Sequence, residues 1–151
     1  MRKYLNALLA TALIAFLSGA HAEASGMWIG IAVETLHEAR VVPETADRHL
    51  TLVSQAIARA LADTLSCGEH GDNRHGDPVA QRERRDAAVA VAAFAVLESL
   101  YPERREDLEA RLALAFSYIP ETPAKAEGAA LGRRVARQTV AAARWHLGAT
   151  C

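Results

Sequence analysis

The sequence predicts an all-α fold, a helical bundle of about five helices behind an N-terminal export signal. Three observations carry this expectation. Apolar residues recur at helical spacing along the chain, and no segment alternates apolar and polar residues for long enough to make a strand. Prolines punctuate the helical runs, and the block from Ala87 to Gly148 reads as three apolar helical segments separated by Tyr101-Pro102 and by Ile119-Pro120-Glu121-Thr122-Pro123.

Residues 1–22 have the parts of a secretory signal. Arg2 and Lys3 precede an apolar run from Leu5 to Leu17, and Ser18-Gly19-Ala20-His21-Ala22 places small residues at the −3 and −1 positions of a cleavage site. The run is shorter than the roughly 20 apolar residues a bilayer-spanning helix needs. Cleavage after Ala22 and release to the periplasm or the medium are therefore expected, with no stable membrane insertion afterwards. Residues 23–151 then form one domain.

Losing Arg2 and Lys3 takes two of the 17 basic residues and leaves 15 against 18 acidic ones, a net charge of −3. So nearly neutral a chain is not built for nucleic acid or an anionic membrane. Apolar residues make up 51% of the sequence, but much of that is alanine, which predicts a core of close helix contacts rather than of large side chains. Cys67 and Cys151 are the two cysteines. An exported chain permits their disulfide, which would close about 85 residues and restrict the unfolded chain by roughly 4 to 5 kcal/mol. Cys151, as the last residue, can equally stay unpaired.

The first helix is expected from about Gly26 to Arg40, with Trp28, Ala32, Thr35, Leu36 and Ala39 inward, and Val41-Val42-Pro43 ending it because the residue before a proline leaves helical geometry. A second runs from about Glu44 to Leu65 on the stripe Ala46, Leu50, Val53, Ile57, Leu61 and Leu65, leaving Arg48 and Arg59 solvated. Ser66 to Gly76 has three glycines and no apolar period, and reads as a loop. Asp77-Pro78 then starts a third helix, the aspartate accepting from orphan N–H groups and the proline filling a position whose N–H would be unpaired. It continues to Leu100. Apolar on both sides, with Val89, Ala93, Val96 and Leu100 on one stripe and Ala90, Phe94, Leu97 and Tyr101 on another, it is expected at the centre.

Pro102 opens the fourth helix, where Glu103, Glu106 and Asp107 favour the positive end of its dipole. Leu108, Leu112, Ala115 and Ile119 face inward, and Ile119-Pro120 stops it. Thr122 caps the fifth helix, Pro123 sits in its first turn, and it reaches about Leu147 with Gly148 as its stop. Leu131, Val135 and Ala142 share a face, beside which Gly128 and Gly132 let another backbone approach closely.

Two clusters hold chemistry-bearing side chains. Cys67, His70 and His75, with Glu69, Asp72 and Asp77 around them, gather zinc- or copper-type ligands in the 67–77 loop. Their spacing matches no strong single-loop template, and glycines with acidic residues are what turns use anyway, so the loop reads first as solvated. Arg133, Arg137 and Arg144 line up along the last helix, with Arg134 and His146 nearby. They suit an oxyanion or an acidic partner surface, and they also complement the negative end of the helix dipole. His37 and His49 are read as surface or interface histidines, and Trp28 and Trp145 as core or interface anchors. No serine carries a nucleophile signature and no glycine-rich phosphate loop is present.

Tyr101-Pro102-Glu103-Arg104-Arg105, Ile119-Pro120-Glu121-Thr122-Pro123-Ala124-Lys125-Ala126 and Gly128-Ala129-Ala130-Leu131-Gly132-Arg133 together resemble the N-terminal helical region of the vanadium-dependent haloperoxidase and type 2 phosphatidic acid phosphatase superfamily. Trp28, Ile31, Ala32, Pro43, Ala46 and Arg48 are more loosely similar to its opening helix and turn. The two proline corners are the specific part. In that family the oxyanion is bound by a later helical half with an Arg-Pro pair, a Pro-Ser-Gly-His segment, and an Arg followed by a His. Neither an Arg-Pro pair nor a Pro-Ser-Gly-His segment occurs in this sequence. The resemblance therefore implies a helical region with no catalytic residue and no cofactor of its own, vanadate or phosphate belonging to the other half. It further implies a separately encoded catalytic half as partner, or the remnant of an interrupted gene, with self-association when the chain is alone. The rival reading is a free-standing periplasmic bundle that binds a protein or a metal through the 67–77 loop.

Overall fold

The computed structural model describes residues 24–69 and 77–148, and these form five helices with no strand among them. They are α1 (24–38), α2 (Pro43–Glu69), α3 (Pro78–Leu100), α4 (Arg105–Ser117) and α5 (Pro123–Gly148), with a 3-10 turn at Pro102–Arg104 before α4. The signal segment 1–22 and Cys151 lie outside the described residues.

α3 is the central element, packing against α2, α4 and α5. Ala87 through Ala93, Val96 and Leu97 are all buried along it. Its start is as expected: Asp77 accepts the Val79 N–H at 3.0 Å, and Pro78 fills the first turn. Trp28, Ala32, Val53, Ala56, Ala60, Leu108 and Val135 close the core around it from the other four helices.

α1 buries Trp28, Ile31, Ala32, Thr35 and Leu36. It stops two residues earlier than the proline rule predicts. Val41 N–H bonds the Leu36 carbonyl at 3.2 Å and Arg40 N–H the His37 carbonyl at 3.0 Å, with Arg40 left-handed at φ 51°. That is the two-bond Schellman stop, made here with arginine where glycine is usual. Val41 packs against the core, of which Leu36 is part, as the apolar residue after such a stop usually does.

α2 begins at Pro43 itself and runs on to Glu69, so Ser66, Cys67, Gly68 and Glu69 are helical rather than loop. Thr64 and Ser66 donate back to the carbonyls of Leu61 and Ala62 at 2.7 and 3.1 Å, which keeps their hydroxyls inside the helix. One glycine costs a helix only about 1 kcal/mol and does not by itself end it. The inward stripe also differs at its end. Val53 and Ile57 are buried as expected, Ala56 and Ala60 join them, and Leu65 is 70% exposed. Steps of four residues drift about 40° each around a helix, which carries Leu65 off the core face. Arg48 and Arg59 are exposed, as expected.

α4 is shorter than the expected Pro102-to-Ile119 helix, because its first residues form the 3-10 turn and it ends at Ser117. Leu108 is fully buried, while Leu112, Ala115 and Ile119 are partly so. Two ion pairs staple α4 and the 3-10 turn before it to α1: Arg111 to Glu34 at 2.8 Å, and Arg104 of the turn to Glu38. Their order makes these helices antiparallel. The Arg111 guanidinium holds the Glu34 carboxyl below the usual carboxylate range.

α5 lies parallel to α3, with Arg84 paired to Glu127 near the start of the contact. The expected glycine approach is present. A Cβ on Gly128 would sit 2.0 Å from the Arg84 carbonyl oxygen, and one on Gly132 would sit 2.5 Å from that of Ala88. Leu131, Val135 and Ala136 are buried just beyond, so α3 and α5 are joined along alanine and glycine.

Candidate functional site

Four places on the bundle gather polar side chains. The first is the α4–α5 corner, Ile119 to Lys125. Thr122 accepts the Lys125 N–H at 3.3 Å and donates to the Glu83 carboxylate at 2.7 Å, which fixes the start of α5 against α3. Lys125 is buried, and its ammonium donates to the carbonyls of Phe116 and Ile119, both at 3.0 Å, and to Glu121. It also sits 4.8 Å from the centre of the Phe116 ring. The end of a helix leaves carbonyls unpaired and carries the negative end of the dipole. The lysine of this corner is thus a cap for α4.

The second is a histidine–tyrosine pair. The Tyr101 hydroxyl and Nδ1 of His49 are hydrogen-bonded at 2.5 Å, with the rings edge to face and their centres 5.5 Å apart. Burial holds His49 below its ordinary value, which favours the neutral imidazole. Burial also pushes the Tyr101 phenol up, and Glu103 adds to this. His49 is therefore the interface histidine of its two expected readings. It links α2 to the end of α3 across 52 residues of sequence.

The third is a cleft of about 660 Å³ between the start of α1, the first half of α3 and the α4–α5 corner. Met27, Trp28, Val79 and Tyr118 supply apolar wall, and Arg82 and Asp86 polar rim. Trp28 is wholly buried, as its reading as a core anchor requires, and its indole N–H has no hydrogen-bond partner among the described residues. Asp86 lies 3.6 Å from Arg82 and 3.7 Å from Arg85. These contacts are long, and burial outweighs them, pushing the Asp86 carboxyl up. The cleft can receive an apolar side chain with a polar flank. Asp86 is the one carboxyl there whose proton affinity departs upward from the ordinary range.

The fourth is the groove between the later halves of α3 and α5, lined by Ala95, Ser99, Arg137, Val140 and Arg144 among others. Two of the three aligned arginines thus share one groove. Arg133, a turn earlier, is exposed but is not part of its lining. Arg134 turns toward α2 and meets Asp63 at 3.7 Å.

No protein-family model, curated protein or solved structure matches this chain.

The metal candidates are only partly placed. The Cys67 backbone belongs to the last turn of α2, which corrects its position in the loop, and its side chain is not among those described. His70 and His75 lie outside the described residues, as does the side chain of His146. Among the described residues no three His, Cys, Asp or Glu side chains are grouped to hold an ion. No described helix is long and apolar enough to cross a membrane.

Sequence reasoning passed over Lys125 and the His49–Tyr101 pair. Lys125 had a local signal: a cation three residues into a helix, just after a proline corner, is in reach of the preceding helix's carbonyls. His49 had none, because its partner comes from another helix.

Proposed function

We propose that this chain is an exported, non-catalytic helical module that acts by packing against another helical chain. Its place would be that of the N-terminal half of a haloperoxidase- or phosphatase-like enzyme, either as partner of a separately encoded catalytic half or as the remnant of an interrupted gene. Vanadate or phosphate would be held by that other half. One observation carries the packing role: Met27, Val79 and Tyr118 are 46%, 60% and 80% exposed and stand around one cleft. Large apolar side chains gathered at one mouth mark a surface that another chain covers. The proline corner beside that mouth supports a structural role for the resemblance as well, since Thr122 and Lys125 are consumed in joining α3, α4 and α5.

The test is the state of purified residues 23–151 in solution. Self-association at micromolar concentration, weakened by M27S together with Y118S, is expected. A monodisperse monomer that binds no apolar dye would overturn the packing role. Turnover by the purified chain in a phosphatase or bromoperoxidase assay with vanadate would overturn the non-catalytic role. Reading the DNA beyond Cys151 in all three frames tests the family: a Pro-Ser-Gly-His segment there is expected, and its absence leaves the free-standing bundle.

A further inference from the structure

We infer that the groove between α3 and α5, flanked by Arg137 and Arg144, is a docking site for an acidic amphipathic helix of a partner protein. From Gly128 to Arg144 the chain has four arginines and no acidic residue. Outside α5, Arg40, Arg48 and Arg59 also meet no carboxylate among the described residues, whereas the arginines that pack between α3, α4 and their neighbours are paired. Those of α3, the 3-10 turn and α4 each meet a carboxylate: Arg82 and Arg85 with Asp86, Arg84 with Glu127, Arg104 with Glu38, Arg105 with Glu109, and Arg111 with Glu34. On α5 only Arg134 does so; among the described residues Arg133, Arg137 and Arg144 meet none.

The geometry selects the occupant. Arg137 and Arg144 are seven residues apart, two helical turns, which places them on one face about 10 Å apart along the axis. Between them the groove floor is Ala95, Ala136, Val140 and Ala141, side chains small enough for a second helix to lie close. Ser99 offers a hydroxyl at the same edge. A helix with carboxylates at positions i and i+7 and a medium apolar residue between them matches this spacing. An anionic membrane surface fits less well, since interfacial binding relies on protruding Trp, Phe or Leu and this face presents alanine and valine.

This inference rests on the partner-binding reading above, but uses a different surface from the cleft at Met27 and Tyr118. The test is fluorescence anisotropy of a labelled synthetic helical peptide with glutamates at i and i+7 flanking a leucine. Comparison peptides carry glutamine at both positions, or glutamates at i and i+5 on opposite faces. The chain should bind the first peptide at least about tenfold tighter than either other, with affinity falling as salt rises. R137Q and R144Q should each weaken it about tenfold, while R48Q and R133Q leave it within about twofold; circular dichroism melting confirms that each variant is folded. Absent binding, equal binding of the glutamine peptide, or equal losses in R48Q and R133Q overturns the inference. So does binding to phosphatidylglycerol vesicles that R137Q and R144Q abolish while the peptide goes unbound. If the cleft variants M27S and Y118S change self-association but not peptide binding, the two surfaces stand or fall separately.

Discussion

At the scale of single residues, buried Lys125 and half-buried His49 show opposite uses of a titratable group. Lys125 is nearly buried while its carboxylate partner Glu121 is 90% exposed, so the weight of the interaction lies on the carbonyls of Phe116 in α4 and Ile119 just beyond it. K125M leaves the Ile119 carbonyl without its ammonium donor, while the Phe116 carbonyl still accepts the Ile119 N–H at 3.1 Å, and is expected to lower unfolding stability by about 1–3 kcal/mol. E121Q, which removes only a solvated ion pair, should cost less than about 1 kcal/mol. Urea titration of both variants checks this, and equal losses would mean that the ion pair matters more than the cap. His49 has a folded-state affinity for protons below its ordinary value of 6.5. The unfolded chain therefore takes up a proton first. Its contribution to stability is whole above pH 6.5 and shrinks as pH falls below that value. Between pH 8 and 5 the wild type should lose more stability than H49Q, whose amide can still accept from Tyr101. Parallel curves would exclude the coupling.

At the scale of elements, the α3–α5 contact depends on what is missing at Gly128 and Gly132. A methyl group on either would meet backbone of the facing helix, and backbone cannot rotate aside as a long side chain can. G128A and G132A raise helix propensity by about 1 kcal/mol each. Both should nevertheless destabilise the protein by about 2 kcal/mol or more, because overpacking moves α5 off α3. Thermal melting decides, and a raised midpoint in either variant would show that the helices do not pack so closely. The helix stops illustrate the same competition between local and tertiary terms. α1 ends on a left-handed Arg40 although arginine gives no signal for that geometry; the backbone bonds and the packing of Val41 against the core hold it there.

At the scale of the molecule, the bundle is arranged around one helix. α3 has neighbours on several sides, and its amides from Ala87 to Leu97 lie where local opening exposes least. Hydrogen exchange should be slowest there, and slower than in α4, which buries only Leu108 fully. Equal protection of α3 and α4 would contradict a central α3. The family reading, export and partnership belong to this scale too, and are decided by the solution, assay and downstream-sequence tests given with them.

Much of the fold was legible in the sequence because it follows from local chemistry. Asp77-Pro78 and Thr122-Pro123 are start signals with a mechanism, the alanine-rich run marks a helix that can be buried on every side, and glycines four apart mark a close backbone approach. The candidate site was less legible. Arg137 and Arg144 share a face by helical spacing alone, but only the parallel packing of α5 on α3 sets Ser99 and an alanine floor between them. The continuation of α2 to Glu69 and the exposure of Leu65 depend on how far the core reaches along that helix. His49 meeting Tyr101, Lys125 reaching the α4 carbonyls, and Met27, Val79 and Tyr118 converging on one cleft each join residues from different elements. Helical period, caps and breakers act within a few residues and so are written in the sequence. Which faces meet, and which polar groups are thereby buried together, is decided by packing over the whole chain.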